Sequence, residues 1–135
     1  MIQVSAAEAE ELAKVDRDKL SKYEVDAGEK YKTGKSKRLY PRKCYTKAFE
    51  YVEDKSDLED IRLVHGLYLS YGINNHCGHG WVELPNDIVF DGVLQRFYEK
   101  EGYYQYYEII KQVEYQPSEI HQIGFKNGGT YGPWH

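Results

Sequence analysis

Gly78-His79-Gly80-Trp81-Val82-Glu83-Leu84-Pro85-Asn86-Asp87-Ile88-Val89-Phe90-Asp91 reads as a β-hairpin. The turn formers Pro85 and Asn86 divide two alternating segments, and Pro cannot serve a central ladder. Pairing Glu83 with Asp87 sets Trp81 opposite Val89 and His79 opposite Asp91. Side chains alternate between faces. One face then carries His79, Trp81, Glu83, Asp87, Val89 and Asp91. The other carries Gly80, Val82, Leu84, Ile88, Phe90 and Gly92 and is nearly all apolar. A slip of one residue would mix the two sets. Opposed residues have Cβ atoms about 5 Å apart, close enough for an aspartate to hold an imidazole. An ordinary half-buried hairpin with His and Asp on its polar face would look the same.

Upstream, Leu39-Tyr40-Pro41-Arg42-Lys43-Cys44-Tyr45-Thr46-Lys47-Ala48-Phe49-Glu50-Tyr51-Val52 predicts a helix with Pro41 at its first position. Cys44, Tyr45, Ala48, Phe49 and Val52 fall on one face. Cys44 then lies in the first turn, where free N–H groups and the helix dipole favour a thiolate, and Arg42 and Lys43 push the same way. A small buried cysteine on a core stripe is the plainer alternative. Cysteine, histidine and aspartate in that order are the material of a thiol nucleophile, its base and the base's orienter.

A helix-initial Cys, a His-x-Trp-Val-Glu strand and a strand ending in Phe-Asp resemble the transglutaminase-like branch of the papain-like cysteine enzymes. In that branch a helix-borne Cys precedes a His in a His-Ala-Trp-x-Glu strand and an Asp on the next strand. The resemblance covers about residues 40 to 95 and departs from the pattern at two places. Gly80 stands for the usual Ala, and Gly92-Val93 follows Asp91 in place of Pro-Thr. It implies an α+β fold with a compact papain-like/transglutaminase-like core, the Cys-bearing helix packed on a small antiparallel sheet. It also implies Cys44 as nucleophile, His79 as base and Asp91 as orienter, with no cofactor or metal. The chemistry would pass through a thioester on a protein, peptide or small-molecule amide or ester. The backbone N–H of Cys44 would help hold the oxyanion. Tyr40, just ahead of the helix, and Trp81, inside the motif, are the further candidates for oxyanion or substrate contact. The competing class is a catalytically silent binding module that keeps this scaffold and uses a tyrosine-lined cleft.

At 135 residues the chain reads as one domain, long enough to bury roughly two-thirds of its unfolded surface. Residues 1–39 form an N-terminal helix and basic connector, 40–95 the core, and 96–135 an aromatic-rich C-terminal part. Acids outnumber bases, 22 to 18, so no bulk attraction to nucleic acid follows. Lys30, Lys32, Lys35, Lys37, Arg38, Arg42 and Lys43 nevertheless share a window without an acid just before Cys44. Such a run is either a solvated loop or a basic rim for an acidic substrate. Two cysteines make no disulfide framework. No apolar stretch approaches the ~18 residues of a span, and no leader pattern opens the chain, so no membrane association and a cytoplasmic location are expected.

Elsewhere, Ser5-Ala6-Ala7-Glu8 is a capping box opening a helix to about Tyr23, with Leu12, Val15 and Leu20 inward. Residues 24–39 form a polar connector. Asp60 to Leu69 has strand character ending at Tyr71-Gly72, and 73–78 is a loop into the hairpin. Leu94 to Tyr98 leaves the hairpin, and Gly102 breaks the pattern before Tyr103, Tyr104, Tyr106 and Tyr107. Ser118-Glu119-Ile120 starts a short helix that Asn127-Gly128-Gly129 ends, and the aromatic tail is expected to dock. With 14 Tyr and 4 Phe, the tyrosines line a wet cleft or replace Phe in the core. His76, Cys77, His79 and Glu83 could each bind zinc, but their spacing fits no familiar site.

Overall fold

The structure is a computed structural model that describes residues 5–33, 38–69 and 75–134. Helix α1 (Ala6–Leu20) opens on the expected capping box. The Glu8 N–H donates to Ser5 Oγ at 3.1 Å, and the Ser5 N–H donates to Glu8 Oε1 at 3.3 Å. A 3-10 turn, Ser21–Tyr23, carries it to the expected end. Its buried face is Ala9, Ala13, Asp16 and Leu20, so the helix is rotated from the expected Leu12, Val15 and Leu20 set. Ala13 and Leu20 pack into the tyrosine-rich core, and Asp16 Oδ1 accepts the Tyr106 hydroxyl at 2.8 Å.

Helix α2 (Cys44–Asp54) begins at Cys44 itself. Pro41 therefore lies outside it rather than at its first position, with Arg42 between them in the left-handed region (φ 66°). Ala48, Phe49, Tyr51 and Val52 are its buried residues.

Five strands follow: β1 (Arg62–Leu69), β2 (His76–Leu84), β3 (Ile88–Asp91), β4 (Arg96–Glu99) and β5 (Ile110–Tyr115). They form one sheet in the order β4-β3-β2-β1-β5, antiparallel at each pairing. Helix α3 (Lys100–Tyr107) joins β4 to β5, and α4 (Ile120–Lys126) follows. The chain is thus α+β, with the Cys-bearing helix against an antiparallel sheet. β5 was not legible in the sequence. β2 starts at His76, inside the segment read as a loop. Gly34, Lys35, Lys37 and the strand end at Tyr71-Gly72 lie outside the described residues.

The hairpin register differs from the expected one. Leu84 pairs with Ile88 and Glu83 with Val89, so the three turn residues are Pro85, Asn86 and Asp87. Asn86 (φ 65°) and Asp87 (φ 57°) are both left-handed, a conformation these two residue types tolerate. Because the shift preserves the alternation, the two faces keep their composition.

What changes is that both faces are buried. Val82, Leu84 and Phe90 pack with Phe49, Val52 and Ile120 under α2 and α4. Trp81 and Val89 pack with Leu20, Leu94, Tyr98, Tyr103 and Tyr107 under α1 and α3. The face read as polar is therefore a second core. Gly102 does not break the chain. It sits inside α3, where a Cβ would fall 2.3 Å from the Tyr23 ring. The C-terminal tail docks, with Trp134 against Phe49, His65 and Tyr115. Among the described residues no helix is long and apolar enough to cross a membrane.

Candidate active site

β2 outruns β3: their pairing covers only Val82 to Leu84, so beyond it β2 has β1 alone as a strand neighbour. The first turns of α2 fill the space beside it. Two glycines permit this approach. A Cβ at Gly80 would lie 2.9 Å from Tyr45 Cδ1, and one at Gly92 would lie 3.0 Å from the Lys47 carbonyl carbon. Small size at 80 is thus a packing requirement of the helix start. The Gly80 N–H favours the charged form of the Cys44 thiol.

Cys44, His79 and Asp91 all line one cavity of about 110 Å³, together with Asp16 of α1, Tyr68 of β1 and Tyr107 of α3. Ala9, Leu12 and Ala13 of α1 form part of its wall.

His79 is clamped between rings, stacked on Tyr68 at 4.2 Å and on Trp81 at 5.5 Å between centroids. Its Nε2 is 3.8 Å from Asp91 Oδ2, too far for a hydrogen bond. The Tyr103 hydroxyl lies between them, 2.7 Å from His79 Nε2, and donates to Asp91 Oδ2 at 2.5 Å. The other carboxylate oxygen, Oδ1, accepts the Leu94 N–H at 2.9 Å and is fixed by the turn that follows β3. His79 Nδ1 is buried without a hydrogen-bond partner. Thiol and imidazole are therefore not hydrogen-bonded to each other in this state.

The electrostatics reverse one expectation. Burial pushes the Cys44 thiol up to about 11, with Asp91 adding to the effect, against the N–H groups of Gly80, Tyr45 and Cys44 itself. Arg42 and Lys43 are exposed and do not offset it. Burial also holds His79 down at about 4, although Asp91 favours its charged form. The resting pair is a neutral thiol and a neutral imidazole, not the thiolate the helix start suggested. Desolvation outweighs the helix dipole here because the dipole is worth only about 0.3–2 kcal/mol. Alkylation of Cys44 by iodoacetamide at neutral pH, in a Cys77→Ser variant, should run about a hundredfold slower than in denaturant. That ratio follows from a thiol at about 11 rather than 9.0. Equal rates, read by mass mapping, would mean a thiol open to water.

Two weaker candidates are placed elsewhere. Tyr40 is not among the residues that line the Cys44 cavity. Its ring lies under Lys47 Nζ at 4.1 Å, and it lines a separate cavity beside Tyr51 and Phe90. Trp81 is fully buried behind His79, its indole N–H donating to Glu83 at 3.3 Å. Glu83 is occupied by Trp81, Lys111 and Tyr104, and no three metal-ligating side chains cluster among the described residues. The basic run is partly neutralised, since Lys32 pairs with Glu29 at 2.8 Å and Lys30 with Asp60 at 3.8 Å.

Asp16 and Tyr68 carry no signal in the sequence, whereas Tyr103 and Tyr107 belong to the tyrosine run expected to line a cleft or fill the core. The i,i+4 spacing of Tyr103 and Tyr107 would have put them on one helix face, had Gly102 not been read as a break. Burial lifts the Asp16 carboxyl to about 6, against hydrogen bonds from Tyr106 and Tyr107.

No family model, curated protein or solved structure matches the chain.

Proposed function

We propose that the protein is a cysteine-dependent hydrolase or acyltransferase acting on an amide or ester, with a transglutaminase-like arrangement of Cys44, His79 and Asp91. The observation that carries this reading is the common cavity, with a thiol at a helix start and a buried imidazole whose Nδ1 is unpartnered. With neutral partners, attack is general-base catalysed. As Cys44 Sγ bonds to the substrate carbonyl carbon, its S–H bond breaks and the proton passes to His79 Nδ1. The carbonyl π pair moves to oxygen, where the Cys44 N–H at the helix start is a suitable donor. Collapse expels the leaving group, which takes the proton from Nδ1 and leaves a thioester. Water or an amine then releases the acyl group by the same steps in reverse.

The alternative, a silent binding module, has the protonated thiol in its favour. Passive alkylation does not separate the two readings, because a thiol protonated at rest is slow in both. Incubation with p-nitrophenyl acetate and mass mapping of the adducts does. Acetylation and turnover at Cys44 that disappear in His79→Ala are expected. Acetylation confined to Cys77, or unchanged by His79→Ala, would leave the module.

A further inference from the structure

We infer that Tyr103 is a positioning residue that bridges His79 to Asp91 and fixes the imidazole as the Nε2–H tautomer, leaving a bare lone pair on buried Nδ1. The inference rests on the catalytic reading for its use, but its geometry stands apart from it. Direct contact between His79 Nε2 and Asp91 Oδ2 is absent at 3.8 Å, while the Tyr103 oxygen is within hydrogen-bond distance of both.

The proton count decides the tautomer. A tyrosine hydroxyl has one proton to give. The Tyr103 proton goes to Asp91 Oδ2, so the Tyr103 oxygen must accept from His79, and Nε2 must carry the hydrogen. A neutral imidazole has one N–H, which leaves Nδ1 bare. The lack of any donor or acceptor at buried Nδ1 agrees with a position kept for the reacting proton.

Every member of the bridge is held from behind. Asp91 is pinned by the Leu94 N–H. Tyr103 is fully buried and stacks on Tyr98 at 5.8 Å. The His79 ring is sandwiched by Tyr68 and Trp81. Without the hydroxyl, a gap of 3.8 Å separates imidazole and carboxylate. When Nδ1 takes the thiol proton, the charge on the imidazolium is felt by Asp91 through the hydroxyl, with no net transfer needed along the chain.

The test is a long-range ¹H–¹⁵N correlation spectrum of the histidine rings in the full-length protein, with and without Tyr103→Phe. The parent should show His79 as the Nε2–H tautomer, and Tyr103→Phe should show mixed tautomers. In the p-nitrophenyl acetate assay the variant should lose about 10–100-fold in kcat with KM little changed, the usual scale for a group that orients another. A parent His79 carrying its proton on Nδ1 overturns the bridge, as does a variant spectrum identical to the parent's. The parent spectrum needs no variant, so the bridge is decided even if Tyr103→Phe does not fold. An Nε2–H tautomer without any acylation of Cys44 upholds the bridge and overturns the acyl-transfer reading. Acylation with the opposite tautomer does the reverse.

Discussion

Replacement of Cys44 by Ala is expected to lower turnover of p-nitrophenyl acetate to background, a loss of about 10⁴-fold or more, because the acyl-enzyme then has no sulfur to form on. The fold should survive. Cys44 is the first residue of α2, while the residues that seat the helix are Ala48, Phe49, Tyr51 and Val52. Cys77→Ser should leave both turnover and unfolding unchanged, since Cys77 is outside the cavity with its thiol toward Asn75 O at 3.6 Å. Asp91→Asn should fall between these. Tyr103 stands between His79 and the carboxylate, so the imidazole feels Asp91 at second hand, and a loss of about 10²-fold is expected. Steady-state rates with urea unfolding of each variant check the set. Full activity in Cys44→Ala would remove Cys44 from the chemistry.

The second large effect is on stability. Asp16→Asn should stabilise the protein at neutral pH by up to about 3 kcal/mol, from a carboxyl lifted from 3.8 to about 6 at 1.36 kcal/mol per unit. Below about pH 4 the carboxyl is protonated in both folded and unfolded chains and contributes no difference. Between about 4 and 6 the folded chain holds a proton that the unfolded chain has released, so stability falls as pH rises through that window. Above 6 the cost of a buried carboxylate is complete. Asn cannot ionise, and its amide oxygen still accepts from Tyr106, so the gain appears only on the neutral side. His79 acts in the opposite sense. Held at about 4, it contributes stability that is lost as pH falls from 6.5 toward 4, and this cancels when variant and parent are compared at the same pH. Urea unfolding across pH 3 to 8 measures the difference. A gap that does not grow between pH 4 and 6 would show that Asp16 is not buried as a carboxylate.

Local patterns carried much of the architecture. The Ser5–Glu8 capping box, the helix through Val52 and the hairpin each depend on neighbours within a few residues, which is the range over which caps, turns and periodicity act. The alternation of Gly80, Val82, Leu84 against His79, Trp81, Glu83 fixed the two faces, and it survived a change of register because parity, not pairing, separates them. The sequence by itself therefore determined which side chains share a face and that a cysteine, a histidine and an aspartate are borne on a helix start and two adjoining strands.

Three things were decided only by the tertiary structure. The exact turn followed from Asn86 and Asp87 accepting left-handed backbone, which Pro85 next to them masks in a sequence reading. Tyr103 came between His79 and Asp91 because α3, a helix hidden by Gly102, packs on the face that looked polar; its distance in sequence from His79 gave no sign of this. The charge state of the pair followed from burial. Ala9, Ala13 and Asp16 line the same cavity as Cys44 and His79, and desolvation is a property of everything packed around a group, which no local spacing encodes.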